Sequence, residues 1–319
     1  MAHLVESMAY VGQTPWHGLG NLLTPNQPLE VWAEQAGMDW QILETPVRYL
    51  AGGKQHLGEI RSFEERSVLY RSDTLDALSV VGQRYQVVQP REILEFYRDL
   101  TEKSGFELET AGVLKNGKKL WALARTGQSA TLQGKDTTHG YLLLATACDG
   151  SMATTAQFTS VRVVCNNTLQ IAIGNNTGAV KVPHSTTFDA QAVKQQLGIS
   201  VSEWEEFIYR LRKLSERKVK PREVEKFFTG VFGEPKLPEE VRPNERAMNK
   251  ALALFNGEGH GSNLSTARGT AYGLLNAVTE FVDHERKARN TDYRLDSAWF
   301  GQGAALKQKA LEQSLLMVA

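Results

Sequence analysis

Apolar residues follow two rhythms along this chain. Residues 29–37 space Leu29, Val31, Trp32 and Ala33 as a short helix closed by Gly37. Residues 40–50 and 66–71 alternate enough to predict strands. Pro90 opens a strongly amphipathic helix that places Ile93, Leu94, Phe96, Tyr97 and Leu100 on one side and stops at Gly105. Phe106–Leu114 then runs through Lys115-Asn116-Gly117-Lys118 into Leu120-Trp121-Ala122-Leu123-Ala124, and Asn-Gly between two apolar runs predicts a hairpin. Tyr141–Ala147 reads as a buried strand, and Asp149-Gly150 as a second hairpin turn into Met152–Thr159. Residues 161–173 fit helix or strand; they are read here as a helix following the sheet.

From Asp189 the period lengthens to 3.6. Helices are predicted at 189–218, 221–231, 239–256, 266–288 and 301–317, broken by Pro221, by Gly233 to Pro238 and by the loop from Gly257 to Asn263. The expected class is therefore α+β: an antiparallel β meander covered by helices, followed by a helical C-terminal half. Residues 1–188 are expected to form the α+β core. Residues 189–319 are expected to form a helical region packed on or beside it.

The 319 residues carry 36 Lys+Arg and 36 Asp+Glu, are 41% apolar and 23% charged, and show no internal repeat. Such values belong to a globular chain and argue against extensive disorder or a fibre. A balanced charge argues against a uniformly basic nucleic-acid coat but leaves room for a local basic face. No window holds 18 consecutive apolar residues, so no membrane-spanning helix is expected. The first residues lack a basic region followed by a long apolar run, so no secretory signal is expected. Two cysteines, Cys148 and Cys165, with no Cys-x-x-Cys pair, suit a reducing cytoplasm and argue against structural zinc.

Candidate chemistry is sparse. Cys165, His184 and Asp149 supply the residue types of a nucleophilic triad, but no thiol-enzyme signature surrounds Cys165, and a buried small side chain is the simpler reading. No two of the seven histidines share a helix at metal-ligand spacing, so no metal is expected. Gly257-Glu258-Gly259-His260-Gly261-Ser262-Asn263 precedes a helix, and helix N-termini attract phosphate, yet its spacing matches neither a P-loop nor a dinucleotide fingerprint. Trp16-His17 sits in a Gly/Pro-rich segment, where Trp serves as a core plug or as a base-stacking side chain. Between 207 and 226 eight cations face three acids. Among them Arg210, Arg212, Lys213, Arg217 and Lys218 are candidates to neutralise backbone phosphates, and Arg286, Lys287, Arg289 and Arg294 form a second basic cluster. Arg162 and Lys181 adjoin apolar stretches, so each must snorkel, pair or reach a ligand.

Several segments together resemble a known family: Pro15-Trp16-His17-Gly18-Leu19-Gly20, Val81–Val88, Glu109-Thr110-Ala111-Gly112, Asp149-Gly150-Ser151, Val161-Arg162-Val163-Val164-Cys165-Asn166-Asn167-Thr168-Leu169, Gly269-Thr270-Ala271-Tyr272 and Asn276–His284. In this order they resemble the phage/plasmid-like family catalogued as domain of unknown function 932. That resemblance implies carriage by mobile elements and names no reaction. A looser resemblance is topological: a helix, a meander and a segment carrying Arg162 are similar to the core of Rad52-type single-strand annealing proteins. That likeness implies a ring holding single-stranded DNA in a basic groove, although the neutral balance departs from it.

The resulting expectation is a non-enzymatic, cytoplasmic, cofactor-free protein that binds and anneals single-stranded DNA as a homo-oligomer, as in a ring, away from membranes. Its expected phosphate contacts are Arg162, Lys181, Arg210, Arg212, Lys213, Arg217 and Lys218. Two other readings stand beside it. One is a phosphate-directed enzyme using the 257–263 loop with His184 or His284. The other is a protein-binding module that inhibits a host factor.

Overall fold

The computed structural model describes residues 5–12, 20–53, 56–164, 167–170, 179–197, 201–233, 244–289 and 291–319. Its first elements are β1 (Val5–Val11), β2 (Asn21–Leu23), α1 (Leu29–Gln35), β3 (Ile42–Gly53), β4 (His56–Arg71), β5 (Ala77–Gly82) and α2 (Pro90–Ser104). The meander follows as β6 (Glu107–Leu114), β7 (Lys119–Leu132), β8 (Asp136–Ala147) and β9 (Thr154–Arg162), with β10 (Asn167–Gln170) and β11 (Ala179–Val182) after it. Then come α3 (Ala190–Leu197), α4 (Val201–Glu216), α5 (Pro221–Phe232), α6 (Glu245–Ala253), α7 (Ala271–Glu280), α8 (Thr291–Phe300) and α9 (Gln302–Leu315). Leu254–Glu258 and Phe281–Glu285 extend α6 and α7 as single π-helical turns.

The fold class is as expected: antiparallel strands with helices, and a helical C-terminal part. The main sheet has the order β10-β9-β8-β7-β6-β1-β2, with β11 also pairing with β9, and β3-β4-β5 form a second sheet. Both turn signals sit where the chain reverses. Lys115, Asn116 and Gly117 all take positive φ between β6 and β7, and Gly150 does so between β8 and β9.

The chain divides into two compact units. One comprises Met1–Arg125, Leu142–Gln157 and Ala179–Gly198; the other comprises Thr126–Tyr141, Phe158–Gly178 and Ile199–Ala319. The division is thus not a single cut at 188/189. β7 and β8, of 14 and 12 residues, and the nine-residue β9 are long enough for each to pass from one unit into the other.

In the first unit, α2 shows how local sequence sets a helix. The Gln89 side chain bonds the backbone at Glu92 while Glu92 bonds back to Gln89, Pro90 sits in the first turn, and Gly105 closes the helix at φ 68°. Its apolar side carries Ile93, Leu94, Phe96 and Tyr97, all at most 1% exposed. The Tyr97 hydroxyl lies 2.8 Å from the Ala122 carbonyl and 3.0 Å from that of Leu142, and its burial holds the phenol well above its ordinary range.

In the second unit, α7 is the central rod, with every residue from Ala271 to Glu280 buried. Thr270 caps it by accepting a bond from the Gly273 amide at 3.0 Å. α7 packs on α4, α9 and β10.

Three expectations are corrected. Residues 161–173 are not a helix where described: β9 runs on to Arg162, and β10 returns against it with Asn167 opposite Arg162 and Thr168 opposite Val161. β-branched Val161 suits the pleated strand, and Val163 and Val164 lie in the turn that follows it; residues 165–166 and 171–173 lie outside the described residues. Of the helix expected over 189–218, the described residues form α3 and α4 and leave the helix after Glu216; residues 198–200 lie outside the described residues. The last expected helix is preceded by a separate one, α8, whose sequence carries little apolar periodicity.

Candidate functional site

Arg162, expected to meet a phosphate, meets Asp136. Its Nε and Nη2 donate to the two Asp136 oxygens at 2.8 and 2.6 Å, and both residues are enclosed, with side chains 3% and 0% exposed. Thr266 Oγ1 donates to the same carboxylate at 2.6 Å, Arg162 Nη2 reaches the Gly261 carbonyl at 3.3 Å, and the guanidinium stands 5.3 Å from the Tyr272 ring centre. Arg162 is therefore not available to a phosphate. Its charge is consumed inside the second unit, because the end of β9 tucks under the 257–270 loop.

The remaining expected contacts are dispersed. Lys181 is exposed on β11, in the first unit, opposite Thr155. Arg210, Lys213 and Arg217 fall on one side of α4 and its end, and Arg212 projects from another. Acids are interleaved with them: Arg210 pairs with Glu206 at 2.8 Å, Lys213 with Glu216 at 3.8 Å, and Arg217 with Glu223 at 2.5 Å. Arg217 also donates to the Met317 carbonyl, and Lys218 to that of Arg268. Arg212 is exposed. The α4 strip is thus a mixed-sign face, and surface pairs of this kind contribute little.

The Gly-rich loop has a packing explanation. A Cβ on Gly259 would come within 2.8 Å of the Leu254 carbonyl and 2.9 Å of Glu280 Oε2, and one on Gly261 within 2.7 Å of Val164. These glycines let the loop lie flat on α7 and β9. They also seat His260, whose backbone N–H and Nδ1 both lie 2.9 Å from Glu280 Oε1 while 76% of its side chain stays exposed.

The residue types of a triad are not brought together among the described residues. Cys165 lies outside the described residues, and the His184 ring nitrogens meet Thr146 Oγ1 and the Gln86 carbonyl rather than a carboxylate. Burial, helped by the nearby Asp149 charge, pushes the Cys148 thiol up to about 12, which leaves it unreactive at neutral pH. Trp16 and His17 also lie outside the described residues. Among the described residues, no group of three or more His, Cys, Asp or Glu gathers as a metal site.

A feature the sequence reading missed is a groove of about 940 Å³ in the second unit, between the end of α5, α6, the turn after α7, and α9. Among the described residues, Arg246, Lys250, Arg286, Lys287 and Lys309 line it against one acid, Glu285. Beneath them lie Phe232, Phe281 and Leu306, with the two rings edge to face at 5.5 Å. Lys250 is held by Glu258 and Glu285 at 3.4 and 3.6 Å, Arg286 by Gln302 at 3.0 Å, and Lys309 by the Gly233 carbonyl at 2.9 Å. Arg246 and Lys287 are exposed and make no ion pair with any described residue. The basic run at 286–294 signalled one wall of this groove. Lys309 is too far in sequence from Arg246 and Lys250 to register with them as a cluster.

The family model described as domain of unknown function (DUF932) matches residues 77–299, and the chain belongs to that family. The match covers the meander, the Asp136–Arg162 pair and four of the five groove cations, leaving out Lys309 and the β3–β4 hairpin. No curated protein and no solved structure matches the chain. No helix among the described residues is long and apolar enough to cross a membrane.

Proposed function

We propose that this protein binds single-stranded DNA and promotes strand annealing for a mobile genetic element, as a cytoplasmic homo-oligomer without an enzymatic step. The observation that carries the reading is the groove, where, among the described residues, five cations face one acid over an apolar floor. Such a surface suits a flexible polyanion: phosphates on the guanidinium and ammonium groups, sugars on the Phe232 side.

The chemistry asked of the protein is small. Arg246 and Lys287 hold phosphates, Arg286 and Lys309 border the path, and the bases stay turned outward for a second strand to test. Each stacked base pair then formed contributes about 1.4 kcal/mol, so annealing proceeds without a nucleotide cofactor.

The test is fluorescence anisotropy of a labelled oligothymidylate against salt. Contacts from Arg246, Arg286, Lys287 and Lys309 give a logarithmic slope of roughly −3, from about −0.7 per contact on a single strand. The double variant Arg246→Glu/Lys287→Glu should weaken binding about tenfold or more. Absence of wild-type binding at low salt overturns the reading, and equal binding by the variant removes the groove from it.

One observation favours a second reading, a phosphate-directed enzyme. His260 presents an exposed imidazole whose other nitrogen is oriented by the buried Glu280, as a general base requires. Conversion of labelled DNA in the presence of a divalent metal, lost in His260→Ala, would establish that reading; an unchanged substrate would remove it.

A further inference from the structure

The β3–β4 hairpin extends past the rest of its sheet. β5 pairs with β4 only between Arg66 and Tyr70, so from His56 to Glu65 β4 has no neighbour on that side among the described residues. β3 is the outer strand on the other side. Beyond the irregularity after Pro46 the hairpin is a two-stranded ribbon, with Val47 opposite Phe63, Tyr49 opposite Arg61 and Leu50 opposite Ile60.

Strand alternation puts Val47, Tyr49, Arg61 and Phe63 on one face and Arg48, Leu50, Ile60 and Ser62 on the other. Both faces expose apolar side chains: Leu50 is 71% exposed, Ile60 69%, Tyr49 48% and Phe63 44%. A two-stranded ribbon with bare edges and uncovered apolar faces is marginal in water and is normally covered.

The charge pattern selects the covering partner. From Glu44 to Arg66 the cations Arg48, Lys54, Arg61 and Arg66 equal the anions Glu44, Glu59, Glu64 and Glu65 in number. A polyanion gains nothing from such a surface. A copy of the same ribbon does: Glu59 and Arg61 lie two residues apart on one face, paired at 3.0 Å, and a two-fold axis between antiparallel ribbons sets each against its opposite in the other copy. We infer that this ribbon is a self-association element whose unpaired β4 edge pairs antiparallel with the β4 edge of a second copy of this chain about Ile60, so that Glu59 of each copy meets Arg61 of the other and the Leu50–Ile60 face of one ribbon continues into that of the next. The inference uses none of the groove cations and stands independently of DNA binding.

The test is the mass of the full chain by sedimentation and light scattering at micromolar concentration. Wild type should be a dimer or larger. Leu50→Glu/Ile60→Glu should be a monomer with an unchanged circular dichroism spectrum, because both side chains are exposed. The strand-compatible Leu50→Thr/Ile60→Thr guards against misfolding and should shift the equilibrium the same way. Ile60→Cys should yield a bismaleimide-linked band at twice the chain mass. A monomeric wild type, a variant that keeps the wild-type mass, or a ribbon that cross-links only to a different protein overturns the inference. The monomeric variant should still bind a short oligothymidylate, so a failure of self-association and a failure of DNA binding are read separately.

Discussion

Arg162 and Asp136 form a two-pronged ion pair inside the second unit, with N–O distances of 2.8 and 2.6 Å and no water-accessible surface on the carboxylate. Removing one partner leaves a buried charge uncompensated, at a cost of about 3–5 kcal/mol. Asp136→Leu and Arg162→Met should each lower unfolding stability by that order in urea titrations. The double variant should lose distinctly less than the sum, because no lone charge remains. Arg162→Lys should not restore the wild-type value, since an ammonium cannot bridge both oxygens. Additive losses would show that the pair is not coupled.

Lys307 supplies a second enclosed pair. Its Nζ donates to Asp283 Oδ1 and Thr168 Oγ1, both at 2.7 Å, while the Thr168 amide donates to Asp283 Oδ2 at 2.7 Å. Desolvation holds the amine below its ordinary value of 10.5, with the Asp283 charge opposing the shift. The unfolded chain therefore binds more protons at this site than the folded one above the folded value. The contribution of Lys307 to stability accordingly rises as pH climbs through the folded value toward 10.5, and is flat beyond it. Comparing wild type with Lys307→Met, whose stability lacks this dependence, checks the sign. A difference that falls with pH over that window would contradict it.

Cys148 should be inert in the folded state. In a Cys165→Ser background at neutral pH, iodoacetamide should label Cys148 only at the rate of global or local unfolding, and promptly in denaturant. Prompt labelling of the native chain would place the thiol in water.

Gly261 takes φ +69°, and an added Cβ would press on Val164 and lie 3.0 Å from Arg162 Nη2. Gly261→Ala should therefore destabilise by about 1–3 kcal/mol through backbone strain and a disturbed ion pair. Oligothymidylate affinity measured on the folded fraction should be unchanged. A selective loss of DNA affinity at unchanged stability would instead make the loop a phosphate site.

Much of the architecture was legible because local physics decides it. The helix at α2 carries its cap, its proline and its closing glycine in consecutive residues, and Asn116-Gly117 and Asp149-Gly150 mark turns that residues with positive φ require. The span 161–170 was not legible, because β-branched residues beside Asn-Asn suit more than one conformation, and pairing with β9 settled it. α8 was missed because its apolar residues keep no helical rhythm.

The candidate site divides in the same way. Counting charges along the chain located cations on α4 and at 286–294, but not their partners. Glu206, Glu216 and Glu223 neutralise the α4 strip over one or two turns, and Asp136, 26 residues before Arg162, removes that arginine from solvent altogether. The meander, its turns, the helical C-terminal part and the family could be read from the chain, since each rests on neighbouring residues or on motif order. Packing, in contrast, set which cations gather at one surface. Arg246, Lys287 and Lys309 are brought to one groove by the packing of α6, α9 and the turn after α7, and electrostatic energy depends on distances in space rather than along the chain.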